Sequence, residues 1–261
     1  MKVVILAGGL GTRISEESHL RPKPMIEIGN MPILWHILKY YSHFGFQEFV
    51  ICCGYKGYVI KEYFADYYLH RSDITFDFSD GNKMIVHNNV AEPWKVTVVD
   101  TGLNTQTGGR IRRIRPYIGD ESFMLTYGDG VGNVDLHALL RQHQASKMAA
   151  TMTAIQPGGR FGVLEVDEQK NCVIGFREKP KEDNHWINAG FMVMEPSVFD
   201  YLDGDDCVLE RRPLEQLSAD GRLGVYRHTG FWQCMDTQRD KGMLDHLWEA
   251  GKAEWKVWED V

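Results

Sequence analysis

Apolar runs and helical periodicity alternate along the first part of the chain. Val3–Ala7 is a short all-apolar run, which is typical of a strand buried on both faces. From Met31 the apolar residues recur on one helical face, and Gly45 is suited to the end of that helix. A second apolar run covers residues 48–55, and a second helical stretch covers residues 56–69. The order strand, helix, strand, helix predicts a parallel sheet with crossover helices.

The later part of the chain contains shorter segments and more turns. Alternating apolar and polar residues around Asp80 and Gly81 predict a β-hairpin, and a second hairpin is predicted over residues 161–180 with a loop near Glu168–Asn171. Further strands are predicted in WKVTVVDTG, SFMLTYGDG, MAATMTAI and INAGFMVMEP, and further helices in GGRIRRIRPYI, LHALLRQHQAS, RRPLEQLSADG, MDTQRDKGMLDHLWEAG and the segment after Pro196. We therefore expect one α/β domain over residues 1–261, with a Rossmann-like mixed, mainly parallel sheet flanked by helices, β-hairpin excursions and a C-terminal helical region.

Composition and charge narrow the class of protein. Apolar residues make up 43% of the chain and charged residues 25%, as in a soluble globular protein with a sizeable core. The formal net charge of −7 argues against a nucleic-acid surface, although a local basic pocket would suit a small anion. The five cysteines form no C-x-x-C pair, which argues against a disulfide scaffold and a zinc site. With no targeting signal or membrane span in the pattern, we expect a cytoplasmic protein without a membrane partner.

Candidate chemistry begins directly after the first strand. Gly8, Gly9 and Gly11 allow a ligand to approach the backbone, and successive N–H groups in such a turn attract anions. Arg13 adds a fork of donors that matches phosphate. Lys23 lies between two prolines on an extended segment and adds a second positive charge. This loop is therefore predicted to bind phosphate.

Two common phosphate motifs do not fit the loop. The pattern G-x-G-x-x-G requires a third glycine where the chain has Ile14, and the Gly-Lys-Ser/Thr ending of a Walker loop is absent. The loop is therefore neither a dinucleotide site nor a P-loop by pattern. A tight strand-to-helix turn without a ligand is the alternative interpretation, and Arg13 and Lys23 argue against it.

Several motifs resemble one enzyme family. The segments LAGGLGTR and RPKPMIEIGNMPIL resemble the signature of sugar-phosphate nucleotidyltransferases, and the resemblance continues in order through TYGDG, FREKP and INAGF. The segments ICCGYKGYVIKEYF, AEPWKVTVVDTG and GFWQCMDTQRD narrow it to the branch that uses CTP and glucose 1-phosphate. The resemblance implies a nucleotide-diphospho-sugar transferase fold, with a nucleotide-binding part at about 1–130, a sugar-binding and C-terminal part at about 131–261, and a homo-oligomer.

The reaction implied by this resemblance is an Mg²⁺-dependent transfer of the cytidylyl group of CTP to α-D-glucose 1-phosphate, with release of pyrophosphate. Both substrates are anions, so positioning and electrostatic stabilisation should dominate, without a covalent protein intermediate. Two alternatives stay open: a uridylyl- or thymidylyltransferase that acts on a hexose 1-phosphate, and a sugar-nucleotide-binding sensor without catalysis.

Two aspartates are the candidate metal ligands. Asp129 ends an apolar strand, and a carboxylate at that position lies on the ligand edge of an open α/β sheet, where it can hold Mg²⁺. A turn aspartate that stabilises its own loop is the alternative. Asp236 is assigned to the same ion by the resemblance, although an aspartate just before a helix is also an ordinary N-cap.

The resemblance also assigns the substrate contacts. Catalytic roles fall to Arg13, Lys23 and Asp129. Nucleotide contacts are assigned to Leu6, Ala7, Gly8, Gly9, Gly11, Thr12, Arg13, Lys23, Thr105, Arg110 and Gly128. Sugar-phosphate contacts are assigned to Glu178, Lys179, Asn188 and Gly190. Backbone near Leu6–Gly9 and Gly81 is a candidate for recognising the base.

Alternatives exist for several of these contacts. The arginines that follow Arg110 are expected to be solvated surface, as is usual for such a run. Glu178 and Lys179 could instead form an exposed ion pair worth about 0–1 kcal/mol. A bend in the strand is the alternative for Asn188 and Gly190.

Overall fold

The structure is a computed structural model that describes residues 1–156, 162–167, 172–178 and 186–259. The loop predicted near Glu168–Asn171 and the candidate site residue Lys179 lie outside the described residues.

The order strand, helix, strand, helix predicted for the first part of the chain is present. The strands are β1 (Val3–Ala7), β2 (Glu27–Ile28), β3 (Met31–Pro32), β4 (Glu48–Cys53), β5 (Ser72–Asp77), β6 (Lys83–Asn89), β7 (Lys95–Asp100), β8 (Phe123–Tyr127), β9 (Gly130–Gly132), β10 (Ala150–Ile155), β11 (Gly162–Asp167), β12 (Cys172–Glu178), β13 (Ile187–Met194), β14 (Leu223–His228) and β15 (Trp232–Cys234). The α-helices are α1 (Ser15–Ser18), α2 (Ile33–His43), α3 (Gly57–His70), α4 (Thr107–Arg113), α5 (Arg115–Ile118), α6 (Leu136–Ser146), α7 (Arg212–Ala219) and α8 (Gln238–Glu249). No helix in the described part of the chain has the length and apolar character needed to cross a membrane.

Seven strands form one sheet in the order β14-β10-β13-β8-β1-β4-β7. Strand β13 runs antiparallel to β10 and β8, and the other neighbouring pairs are parallel. This confirms the predicted mixed, mainly parallel sheet. Strands that precede residue 131 form one side of the sheet and strands that follow it form the other. The two predicted hairpins are present as the pairs β5–β6 and β11–β12.

The all-apolar first strand lies near the middle of this sheet because both of its faces are covered. Val3, Ile5 and Ala7 pack into a core cluster with α2, α3, α6 and α8, whereas Val4 and Leu6 pack into a second cluster with α4, α5 and α7. Every residue of β1 is buried. Burial on both faces excludes polar side chains from the strand, so polar groups that could contact a ligand must come from the loop at its end.

Several elements differ from the sequence prediction. The helix expected after Pro196 is a 3-10 helix over Pro196–Tyr201. The helix predicted in GGRIRRIRPYI is divided into α4 and α5, because Pro116 has no N–H to donate and restricts the residue before it. The predicted C-terminal helical region also contains β14 and β15. Strand β14 was not predicted, because it lies at the sheet edge, where half-exposed residues do not form an apolar run.

Candidate active site

Four chain segments meet at one edge of the main sheet. Parallel strands bring their carboxyl ends to the same edge, so β1, β4 and β8 deliver Gly8, Gly54 and the segment 128–129 side by side. Because β13 is antiparallel, its amino end, with Asn188 and Gly190, lies at this edge as well. The loop after β1, the segments 103–107 and 127–129, Lys23 and Asp236 line a cavity of about 510 Å³, a size usual for small-molecule sites. Gly54, Asn188 and Gly190 lie at the same sheet edge but do not line this cavity.

Every residue assigned to the nucleotide or the metal lines this cavity. The set comprises Leu6, Ala7, Gly8, Gly9, Gly11, Thr12, Arg13, Lys23, Thr105, Arg110, Gly128, Asp129 and Asp236. Gly81 does not line it, because this glycine lies in the turn between β5 and β6. This cavity gives no support to a contact of Gly81 with the base, which stays a prediction.

Two cations and two carboxylates form a cluster at the floor of the cavity. The ammonium Nζ of Lys23 lies 2.6 Å from Oδ2 of Asp129 and 2.5 Å from Oδ1 of Asp236. The guanidinium Nη1 of Arg13 lies 2.8 Å from Oδ2 of Asp236. The Lys23 side chain is only 11% exposed, whereas that of Arg13 is 73% exposed. The cluster therefore has one inner and one outer cation.

Mutual attraction favours the charged forms of Lys23 and Asp236. Burial by itself would lower the pKa of Lys23, but the neighbouring Asp129 and Asp236 outweigh it and raise that pKa. Burial would likewise raise the pKa of Asp236, but Lys23 and Arg13 lower it. The stability that Asp236 gains is thus present at neutral pH and lost as the pH falls through its lowered pKa. The stability that Lys23 gains is lost only as the pH rises through the raised pKa of this lysine.

The N-cap alternative for Asp236 is wrong. Thr237 is the N-cap of α8: its hydroxyl accepts a hydrogen bond from the Asp240 N–H, and the Asp240 carboxylate accepts one from the Thr237 N–H. Because this capping box is complete, the Asp236 carboxylate is directed to Lys23 and Arg13. The pairing of β15 with β9 and a 2.8 Å hydrogen bond from the Met235 N–H to the Asp129 carbonyl bring the two aspartates together.

The donor set of the two aspartates fits a divalent cation completed by a substrate. Asp129 and Asp236 present oxygens to one common point, where the Lys23 ammonium lies. Among the residues that the structure describes, no three His, Cys, Asp or Glu side chains converge as a metal site made by protein alone would require. One or two carboxylates, with water and phosphate oxygens, are the usual ligands of Mg²⁺. The residues present therefore fit Mg²⁺ shared with a phosphate ligand.

Arg110 is buried behind the glycine loop and is only 4% exposed. Its Nη1 and Nη2 atoms donate hydrogen bonds to Cys53 O, Thr101 Oγ1, Gly102 O, Gly8 O and Leu103 O, at 2.7 to 3.3 Å. Burial lowers the pKa of this guanidinium. In this structure Arg110 ties the loop after β1 to the end of β4 and to the loop after β7, so its role here is to position them. A contact with the triphosphate stays a prediction.

Gly8 and Gly9, which follow β1, differ in the space that surrounds them. A Cβ at Gly8 would lie 2.2 Å from Cζ of Arg110, so the space beside Gly8 is filled by the protein itself. A Cβ at Gly9 would meet nothing within 4 Å, which leaves that position open to a ligand. The Gly8 carbonyl already accepts hydrogen bonds from Arg110 and from the Tyr55 N–H. Both lone pairs of this carbonyl are therefore already engaged within the protein.

The predicted sugar side is partly described. The Asn188 side chain accepts a 2.8 Å hydrogen bond from the Gly190 N–H and donates one of 3.4 Å to the Tyr127 hydroxyl. Gly190 has a φ of +84°, and a Cβ there would lie 2.5 Å from the Tyr127 ring. The pairing of β13 with β10 shifts register nearby, so the strand-bend interpretation of Gly190 holds. Glu178 ends β12, and Lys179 lies outside the described residues.

Sequence reasoning missed a hydrogen-bonded group that joins Tyr127 and Thr107, which line the cavity, to Glu210, which does not. The Tyr127 hydroxyl donates to Oε1 of Glu210, and the Thr107 hydroxyl donates to Oε2 of the same carboxylate at 2.6 Å. Burial, and next the charge of Glu210, raise the pKa of Tyr127, which therefore remains a donor. Tyr127 lies within the TYGDG motif and could have been considered. Glu210 carries no such signal, because it is 83 residues away in sequence.

Comparison with known proteins agrees with this site. The chain matches the sequence model of the nucleotidyl transferase family over residues 2–256, and it belongs to that family of enzymes. It is 55% identical over 260 residues to the glucose-1-phosphate cytidylyltransferase of Salmonella typhi, covering 99% of this chain and 100% of that protein. The glucose-1-phosphate cytidylyltransferase of Salmonella typhimurium is equally similar, at 55% identity over 260 residues with the same coverage. The resemblance drawn from the motifs is thereby confirmed.

The fold is shared with more distant proteins. The crystal structure of UDP-glucose pyrophosphorylase in complex with UDP-glucose superimposes with a TM-score of 0.68 at 17% identity, covering 96% of this chain and 98% of that one. At this identity the likeness concerns the fold alone. It confirms the expected α/β architecture over almost the whole chain.

Proposed function

We propose that this protein transfers the cytidylyl group of CTP to α-D-glucose 1-phosphate and releases CDP-glucose and pyrophosphate. The observation that carries the proposal is the 55% identity to a glucose-1-phosphate cytidylyltransferase over the full length of both chains. The cluster of two cations and two carboxylates at the cavity floor supports it, because the substrates are two phosphates that repel each other.

The nucleotide would bind across the loop after β1. The open backbone at Gly9 allows a phosphate to approach, and Arg13 and Lys23 would gather the negative charge of the triphosphate. Asp129 and Asp236 would hold Mg²⁺, which when bound neutralises charge on the phosphates. Arg110 would act from behind by fixing the shape of the loop.

The sugar phosphate would bind next to Tyr127, and its phosphate oxygen would attack the α-phosphorus of CTP in line with the leaving pyrophosphate. Lys179 would neutralise the sugar phosphate, and Glu178 and Asn188 would bind hydroxyl groups. Gly190 would allow close approach of the backbone. In this arrangement most nucleotide contacts come from residues before about 131 and most sugar contacts from later residues, whereas Asp236 serves the metal and Tyr127 the sugar side. The homo-oligomer implied by the resemblance stays a prediction that light scattering of the purified protein would measure.

A nucleotide panel tests the proposed function. With glucose 1-phosphate and Mg²⁺, we expect pyrophosphate release with a kcat/KM for CTP at least about tenfold above that for UTP, dTTP, ATP or GTP, which corresponds to about 1.4 kcal/mol of discrimination. Preference for UTP or dTTP would instead assign the chain to a uridylyl- or thymidylyltransferase. Saturable nucleotide binding without turnover would favour the sensor.

Replacing Tyr127 with phenylalanine tests the sugar side. The hydroxyl joins Asn188 to Glu210, so its loss should loosen the sugar site and raise the KM for glucose 1-phosphate about tenfold, while kcat and the KM for CTP change less than about threefold. Steady-state kinetics with each substrate varied in turn measure this split. Tyr117→Phe is the matched control, since that ring is 46% exposed and does not line the cavity. An equal rise in both KM values would contradict a role on the sugar side.

A further inference from the structure

The ammonium of Lys23 lies at the point where the two candidate metal ligands converge. It contacts Oδ2 of Asp129 at 2.6 Å and Oδ1 of Asp236 at 2.5 Å, and its side chain is largely buried. With Arg13 on the other oxygen of Asp236, the cluster holds two positive and two negative charges. A cation is therefore already present at the position that Mg²⁺ would take.

We propose that Lys23 is the counter-ion of the metal-free site, holds the two carboxylates together, and must leave them when a divalent cation binds. This inference rests on the metal site of the proposed function. Magnesium binds carboxylate oxygens at about 2.0–2.1 Å, and the same oxygens cannot surround both a metal ion and an ammonium group. Without Lys23 the two carboxylates would face each other across the cavity floor and repel.

The base of the Lys23 side chain is fixed while its end is able to move. Lys23 begins a 3-10 turn between Pro22 and Pro24, which holds the backbone, but the four-carbon stem is flexible. The stem passes beside the glycine loop: a Cβ at Gly11 would lie 3.5 Å from Cβ of Lys23. A triphosphate at that loop would thus offer the ammonium new oxygen partners within reach of the same stem.

Metal binding and nucleotide binding are therefore coupled through Lys23. Phosphates draw the ammonium away and release both carboxylates to the metal, and the metal in turn releases the ammonium to the phosphates. The coupling is reciprocal, because binding free energies around a cycle must balance. Arg13 does not have this role, since it contacts Asp236 alone and its side chain is 73% exposed. In this scheme the free enzyme binds metal weakly until a nucleotide arrives.

The test measures metal binding without nucleotide and without turnover. Mn²⁺ is the probe, because it takes the same oxygen ligands as Mg²⁺ and its free form is quantified by electron paramagnetic resonance. We expect Lys23→Gln to bind Mn²⁺ about 5- to 150-fold more tightly than the unchanged protein, the usual range for coupled sites. This gain should accompany a loss of pyrophosphate release, because the lysine is still needed at the phosphates.

Matched variants separate this effect from a general change in charge. Lys241→Gln removes another half-buried lysine, paired with Asp245 at 2.8 Å, and should leave Mn²⁺ affinity unchanged. Arg13→Gln should change it by less than about threefold, as expected for an exposed pair. Adding Asp129→Asn to Lys23→Gln should abolish the gain. Thermal unfolding of each variant, with Lys23→Met as a second replacement, verifies that the fold is retained.

The outcomes distinguish this inference from the proposed function. If Lys23→Gln and Lys23→Met are folded and bind Mn²⁺ no more tightly than the unchanged protein, while Asp129→Asn abolishes Mn²⁺ binding, the counter-ion role is overturned and the metal site stands. If Mn²⁺ binding survives Asp129→Asn, the metal assignment itself is wrong and the inference falls with it. The nucleotide panel is unaffected by either result.

Discussion

Replacing Asp129 with asparagine is expected to lower kcat at least about 1000-fold, whereas the affinity for glucose 1-phosphate changes less than about threefold. Asparagine keeps the shape of the side chain but removes the charge that a hard divalent cation requires. Asp129 contributes one of the two carboxylates at the cavity floor, and in the metal-free state it pairs with Lys23 at 2.6 Å. Pyrophosphate release measures kcat, and calorimetry measures binding of the sugar phosphate.

The control for this variant is an aspartate with an ion pair but no place in the cavity. Asp203 pairs with Arg212 on the surface, so Asp203→Asn should retain kcat within about twofold. Near-normal turnover in Asp129→Asn would mean that the metal is held elsewhere. An equally large loss of sugar-phosphate binding would mean that the variant disrupts the cavity as a whole.

Replacing Arg110 with methionine is expected to lower the free energy of unfolding by at least about 3 kcal/mol, because it removes five hydrogen bonds of a buried cation, and a hydrogen bond to a charged group contributes about 1.5–3 kcal/mol. The guanidinium joins five oxygens from the loop after β1, the end of β4 and the loop after β7, and Arg110 is 4% exposed. Methionine has a similar length and no donor. The loop after β1 would lose the bond to the Gly8 carbonyl, so the KM for CTP should rise as well. Urea unfolding and steady-state kinetics measure the two effects.

Arg112 is the matched control because it lies on the same helix and is exposed. Arg112→Met should change the free energy of unfolding by less than about 0.5 kcal/mol. If Arg110→Met unfolds like the unchanged protein and only the use of CTP is impaired, Arg110 is a direct phosphate contact, as the motif resemblance implies. The experiment thus decides between the positioning role and the binding role.

Much of the fold could be predicted from short stretches of sequence. The run Val3–Ala7 is apolar throughout because helices cover both faces of the central strand. Five consecutive residues are therefore enough to predict a strand that is buried on both faces. The helix after Pro32 and the hairpin around Gly81 are likewise local patterns. Strand β14 could not be predicted from the sequence, because an edge strand with half-exposed residues is stabilised by pairing with its neighbour β10 and not by its own composition.

The candidate site was predictable to a similar extent. The glycine loop, Lys23 and Asp129 stand in recognisable motifs, and all of them line the cavity. The partners of these groups were not predictable. Lys23 was expected to bind phosphate, but in this structure it holds two aspartates. Arg110 was expected at the triphosphate, but its donors are bound to backbone carbonyls.

The residue order alone therefore specified the class of fold, the family and the chemical groups of the site, because strand and helix periodicity and motif spacing depend on neighbours a few positions apart. The packed chain decided which groups meet: Lys23 with Asp236 across 213 residues, Arg110 with Gly8 across 102, and Tyr127 with Glu210 across 83. Such contacts follow from strand order, crossover direction and burial. Charge–charge distances, and with them the pKa values and the competition between lysine and metal, exist only once those long-range contacts have formed.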